Sequence, residues 1–187
     1  MTTQTQTADP RADELLAVRC QLGERAAFDM LIERWHEPLW RYLRQFAHSD
    51  DLARDLAQDT WVRVLRGIAT LREPAKLRPW LFGIARRVAM DRLRAAYAQP
   101  QAGDENLDDL AATDAAAEFE EDFANVEASL AALPAREREA LTLFYLRELS
   151  LAEIAELTGA PPGTIKSRLF RARRLLRQEL ESKGAIS

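Results

Sequence analysis

Hydrophobic positions recur along this chain at intervals of three and four. Phe28, Leu31, Ile32, Trp35, Leu39, Leu43 and Phe46 form the clearest series, a spacing that lines apolar side chains along one face of an α-helix. Leu52, Leu56, Leu65 and Ile68 mark a second helix, and Leu81, Ile84, Ala85 and Val88 a third, after a short loop holding Pro74. The pattern resumes beyond residue 126. Leu130 and Leu133 close one helix, Pro134 suits the first turn of the next, and Leu141, Leu143, Phe144 and Leu146 supply apolar faces. Nothing alternates as a strand would, so the expected fold class is all-α.

The segment "SLAEIAELTGAPPGTIKSRLF" carries the most specific local signals. Ser150 followed by Glu153 is a capping box, Ile154 and Leu157 point inward, and Gly159 suits the left-handed residue that ends a helix. Pro161 fits the first turn of a following helix. A helix of about eight residues, a tight turn and a longer basic helix make a helix-turn-helix pattern.

Charge divides the chain. Residues 101–127 hold ten acidic residues and no basic one, and without them the net charge of −4 becomes +6. The expected organisation is therefore two small helical domains, 12–96 and 126–182, joined by an acidic flexible linker over 97–125. A polar start without a basic cluster argues against a signal peptide, and no apolar run is long enough to span a bilayer. These features predict a cytoplasmic protein with no membrane insertion.

Catalytic chemistry finds little support. Cys20 stands alone and reads as a small buried residue, and His36 and His48 lie apart from it, so no metal-ligand spacing arises. Phosphate-cradling glycine loops and nucleophile elbows are absent from the sequence. The expectation is a protein that is not an enzyme and needs no cofactor or metal.

The basic segments point to nucleic acid. On a helical wheel, Leu169, Ala172 and Leu176 fall within about 40° of Ile165 and form a buried stripe. Lys166, Ser167, Phe170, Arg171 and Arg174 then face outward, as a recognition helix would require, and an exposed Phe170 is more than a solvated surface needs. A second zone, Arg63 to Arg94, holds nine basic and two acidic residues with Trp80 and Phe82 among them. Cations interleaved with flat rings suit a strand whose bases are unstacked. The alternatives are a buried Trp80 beside a general phosphate patch and, for the last helix, a basic face that is merely solvated.

"DLARDLAQDTWVRVL" and "LRPWLFGIARRVAMDRLR", then an acidic linker, then "LSLAEIAELTGAPPGTIKSRLFRARR", together resemble the extracytoplasmic-function group of bacterial RNA polymerase sigma factors. The resemblance covers both blocks in order. It implies promoter-specific transcription initiation with core RNA polymerase, minus-35 recognition as duplex by residues 126–182 and minus-10 melting and capture by residues 12–96. The implied minus-35 residues are Thr164, Lys166, Ser167, Arg168, Phe170, Arg171 and Arg174. The implied minus-10 residues are Arg72, Lys76, Arg78, Trp80, Arg86, Arg87 and Asp91. Asp55, Leu56, Gln58, Asp59 and Val62 would dock on polymerase, and an anti-sigma factor would hold the protein inactive. Arg87 and Leu77 depart from the family pattern, which often has asparagine and an aromatic residue there, and both lie in the minus-10 reader. Two other classes stay open on the residues alone: a helix-turn-helix regulator that binds a palindrome without polymerase, and a protein-interaction adaptor.

Overall fold

The computed structural model describes residues 10–97 and 129–182. Every regular element among them is helical. Helices α1 (Pro10–Gln21), α2 (Arg25–Arg44), α3 (Asp50–Gly67) and α4 (Leu77–Tyr97) form the first bundle. Helices α5 (Ala135–Leu141), α6 (Leu151–Thr158) and α7 (Pro162–Ser182) form the second. The predicted acidic linker lies outside the described residues, apart from its first residue, Tyr97.

The sequence stripes become the cores. Leu31, Trp35, Leu39, Tyr42 and Leu43 of α2 are buried against Leu56, Trp61 and Val64 of α3 and Leu81, Ile84, Ala85 and Val88 of α4. Burying each such side chain contributes about 1.5–3 kcal/mol. Ser49 caps α3 by accepting the Leu52 N–H at 3.2 Å. Two short 3₁₀ turns, Ile68–Thr70 and Pro74–Lys76, reverse the chain between α3 and α4. Cys20 is buried in α1, as expected of a small apolar side chain.

Three apolar assignments differ from the pattern. Leu65 is exposed, because α3 buries Leu56, Thr60 and Val64, and nine residues at about 100° each put Leu65 opposite Leu56. Leu146 is also exposed, at the end of a π-helical segment, Thr142–Leu146, that widens the turn after α5. Phe82 is fully buried. Its ring meets Trp35 and Tyr42 edge-on, with centroids 6.1 and 5.2 Å away, so it is a core anchor and offers no flat surface to a strand.

The helix-turn-helix forms as its residues dictate. Ser150 Oγ accepts the Glu153 N–H at 3.2 Å and the Glu153 carboxylate accepts the Ser150 N–H at 2.8 Å. Gly159 closes α6 with φ 70°, a left-handed conformation that glycine adopts without steric cost. Pro162 rather than Pro161 opens α7, and the Pro161 carbonyl accepts the Thr164 and Ile165 N–H groups. Pro134 likewise precedes α5 as its cap residue instead of entering its first turn.

Candidate nucleic-acid interfaces

Helix α7 buries Ile165, Leu169 and Ala172 against α5 and α6, which fixes its rotation. Lys166, Ser167, Phe170, Arg171 and Arg174 therefore point to solvent, and Phe170 is 66% exposed. Thr164 and Arg168 are half-buried at the edges of this face. The Ser167 hydroxyl donates to the Gly163 carbonyl at 3.0 Å, leaving its oxygen as an acceptor. Arg171 meets the Glu137 carboxylate at a long 3.5 Å with its own side chain about half exposed. Such a loose exposed pair holds an arginine weakly.

A second surface forms where the 3₁₀ turns lead into α4. Arg72, Lys76, Trp80 and Arg87 line a groove whose floor includes Leu71, Pro79 and Gly83. Trp80 is half-buried, its ring lying over Gly67, 3.4 Å from where a Cβ would stand. The edge of the indole at Cζ2 and Cη2 is thus packed while the residue also lines the groove, which lies between the two sequence alternatives. Arg72, Lys76 and Arg87 are exposed. Leu77 is fully buried and belongs to the core, which explains why an aliphatic residue stands there.

Five of the predicted minus-10 residues have partners within the chain: Lys76 lies 3.1 Å from Glu73, Arg87 donates to the Gly83 carbonyl at 3.2 Å, and the other three pair with residues of other elements. Arg78 is mostly buried, 3.0 Å from Glu148 and 3.7 Å from Asp13. Burial raises the Asp13 carboxyl above its ordinary value, against the opposing pull of Arg34 and Arg78. Arg86 lies 3.0 Å from Glu139. Asp91 is exposed and joins Arg63 of α3 and Arg94 of α4, each at 2.7 Å, and the hydrogen bond from Arg63 lowers its carboxyl below the ordinary value.

The exposed face of α3 carries Asp55, Gln58, Asp59 and Val62 at the three-and-four spacing that aligns them. Leu56 is separated from them. It is 3% exposed and packs into the bundle core, so it supports the face without presenting a side chain to a partner. Sequence reasoning missed Leu65, which is 46% exposed one turn beyond Val62. Its wheel position was the available signal.

Among the described residues no group of three or more His, Cys, Asp and Glu side chains gathers as metal ligands. No described helix is long and apolar enough to cross a membrane.

The chain thus presents two helical bundles, one bearing a helix-turn-helix and the other a cationic groove with a partly open indole. Residues 31–98 match Sigma-70 region 2, and residues 123–176 match Sigma-70, region 4. The chain is 30% identical over 181 residues to the RNA polymerase sigma-H factor of Pseudomonas aeruginosa, covering 90% of this chain and 94% of that one. It is 35% identical over 163 residues to the ECF RNA polymerase sigma factor SigM of Mycobacterium tuberculosis, covering 87% and 82%. Similar solved structures include RpoE in complex with the anti-sigma factor NepR from Bartonella quintana, with 26% identity, a TM-score of 0.66 and coverage of 82% and 96%. CnrH in complex with the cytosolic domain of CnrY has 26% identity, a TM-score of 0.64 and coverage of 91% and 98%. The chain belongs to the extracytoplasmic-function sigma factors of RNA polymerase. It is an alternative sigma factor, which binds core RNA polymerase and directs promoter-specific transcription initiation.

Proposed function

We propose a division of this activity among three surfaces. The outward face of α7 reads the minus-35 element as duplex, with Lys166, Ser167, Phe170 and Arg171 against base edges and Arg174 nearer phosphates. The groove of Arg72, Lys76, Trp80 and Arg87 captures the unstacked minus-10 strand, where arginines hold phosphates and the indole offers a stacking surface. Arg78 and Arg86 join it only when their carboxylate partners withdraw. Asp91 acts through its ion pairs, holding α3 to α4 beneath the groove. The α3 face of Asp55, Gln58, Asp59, Val62 and Leu65 docks on polymerase.

The observation that carries this reading is the rotation of α7: its buried stripe leaves the recognition side chains in solvent. The domains run over 12–96 and 126–182, and the intervening acidic residues keep the polymerase-free chain weakly bound to DNA by repelling phosphates. The protein works in the cytoplasm without chemistry of its own. An anti-sigma factor that covers both domains holds it inactive, a reading supported by the similar RpoE structure in complex with the anti-sigma factor NepR.

Transcription from a promoter library with purified core polymerase tests the assignment. Transcripts should start only with both proteins present, Arg171→Ala should change the upstream sequences selected, and Arg87→Ala should impair opening without altering them. Tight binding of a palindrome by the chain alone would favour an ordinary helix-turn-helix regulator instead.

A further inference from the structure

A second cavity, sharing no lining residue with the Trp80 groove, lies where α4 meets α5, α6 and α7. Its volume is about 340 Å³, and its lining joins Arg86 of α4, Arg136 and Glu139 of α5, Arg168 of α7 and the Thr158–Ala160 turn that ends α6. That size falls in the range of about 300–1,000 Å³ typical of small-molecule sites. All three arginines are half-buried, and three cations meet a single carboxylate in this lining. Guanidinium groups stay charged and offer donors in a planar fork, so their convergence favours a ligand with several negative charges, phosphates above all.

Glu139 supplies the second half of the chemistry. Its side chain is 1% exposed, and one oxygen, Oε1, accepts from the Tyr42 hydroxyl at 2.9 Å and from Arg86 Nε at 3.0 Å. Two donors occupy both lone pairs of that oxygen and fix the carboxylate in place. The other oxygen, Oε2, is buried with no hydrogen-bond partner among the described residues. A buried acceptor without a donor bears its full desolvation cost, which a ligand bringing a donor into the cavity would relieve. The end of α6 adds acceptors of the same kind, because the last turn of a helix leaves carbonyl groups without intrahelical partners. The cavity therefore matches a ligand with a donor edge at one end and several negative charges at the other.

Nucleotides have that form, and their bases differ in what they show a carboxylate. Guanine presents N1–H and N2–H₂ side by side, two donors that one carboxylate oxygen can accept. Adenine presents a single donor group, N6–H₂, beside the N1 acceptor, which a carboxylate repels. We infer that this cavity is a binding site for a guanine nucleotide: Glu139 accepts from the base edge, and Arg136 and Arg168 hold the phosphates.

Isothermal titration calorimetry of the full chain with GTP, ATP and inorganic tripolyphosphate tests the site. GTP should bind saturably and about tenfold more tightly than ATP, within the discrimination typical of a matched donor–acceptor edge. Arg136→Ala should weaken GTP about tenfold, as loss of a hydrogen bond to a charged group does. Arg25→Ala, which removes an exposed cation outside the lining, should leave GTP affinity unchanged. Glu139→Gln should bring GTP and ATP to equal affinity while tripolyphosphate still binds. Because Glu139 is buried, this variant is compared at a temperature where a thermal melt shows it folded, and Arg136→Ala with Arg168→Ala decides the matter if it does not fold. Absence of saturable GTP binding, or equal affinity for GTP and ATP in the wild type, would overturn the inference. So would a GTP preference that survived Glu139→Gln, or equal losses from Arg136→Ala and Arg25→Ala, which would reduce the binding to general attraction for phosphates.

Discussion

Trp80 and Phe82 stand two residues apart on α4, and their substitution by alanine separates a fold anchor from a strand reader. Phe82 is fully buried, edge-on to Trp35 and Tyr42. Removing its ring leaves a cavity and costs about 3–5 kcal/mol. In a bundle of this size about 1 kcal/mol shifts Tm by 4–8 °C, so Phe82→Ala should lower it by at least about 12 °C. Trp80 is half-buried over Gly67, and its truncation should cost about 1–2 kcal/mol, near the centre for point mutants. The functional order is reversed. Loss of a stacking surface costs about 1–3 kcal/mol per base, so Trp80→Ala should weaken promoter opening about 5- to 150-fold below its melting temperature. Phe82→Ala, assayed where it remains folded, should open promoters nearly as wild type does. Thermal melts by circular dichroism and opening kinetics with core polymerase give both quantities. If Phe82→Ala melted within a few degrees of wild type yet failed to open promoters, the assignment of the two rings would be wrong.

Three further outcomes follow from the other surfaces. Arg171→Ala should lose about 1–3 kcal/mol at the minus-35 element and relax base preference there; an equal loss on every sequence in a binding selection would reduce Arg171 to a phosphate contact. Asp55→Arg should abolish polymerase binding while leaving the thermal melt unchanged, because Asp55 is exposed, and unchanged affinity in a pull-down would move the docking face elsewhere. Tyr42 is held well above its ordinary value by burial and then by Glu139. The folded chain therefore keeps the phenol proton that the unfolded chain releases near pH 10. This contribution is full below pH 10 and lost above it, by up to about 1.4 kcal/mol per pH unit relative to Tyr42→Phe. Urea titrations that gave parallel pH profiles for the two proteins would contradict the buried pairing.

The stripes of α2, α4 and α7 were legible in the sequence because each helix turns one apolar side to the core. The capping box at Ser150 and the left-handed Gly159 were legible because both are local devices of backbone hydrogen bonding and steric freedom. Leu65 and Phe82 were misplaced for one reason: a hydrophobic residue was credited by type before its angular position was read. Leu56 was misassigned as a docking residue because the family segment contains it, although it belongs to the core face of α3. What could not be read was the junction of the bundles. Tyr42 and Glu139 are 97 residues apart and Arg86 and Glu139 are 53 apart, and nothing in helical periodicity pairs a carboxylate on one element with a cation on so distant a neighbour. The surplus of cations in the first block was visible, but its partial neutralisation by Glu139 and Glu148 was not.

The central claim is that one chain reads duplex with α7 and captures an opened strand with the α4 groove while polymerase holds both in place. Permanganate footprinting of unpaired thymines, with duplex protection measured upstream on the same template, tests it most directly. Reactive thymines should appear downstream only when core polymerase and the chain are both present. Trp80→Ala combined with Arg87→Ala should remove that reactivity and leave the upstream protection intact. Full reactivity in the double variant, or upstream protection lost together with it, would contradict the account.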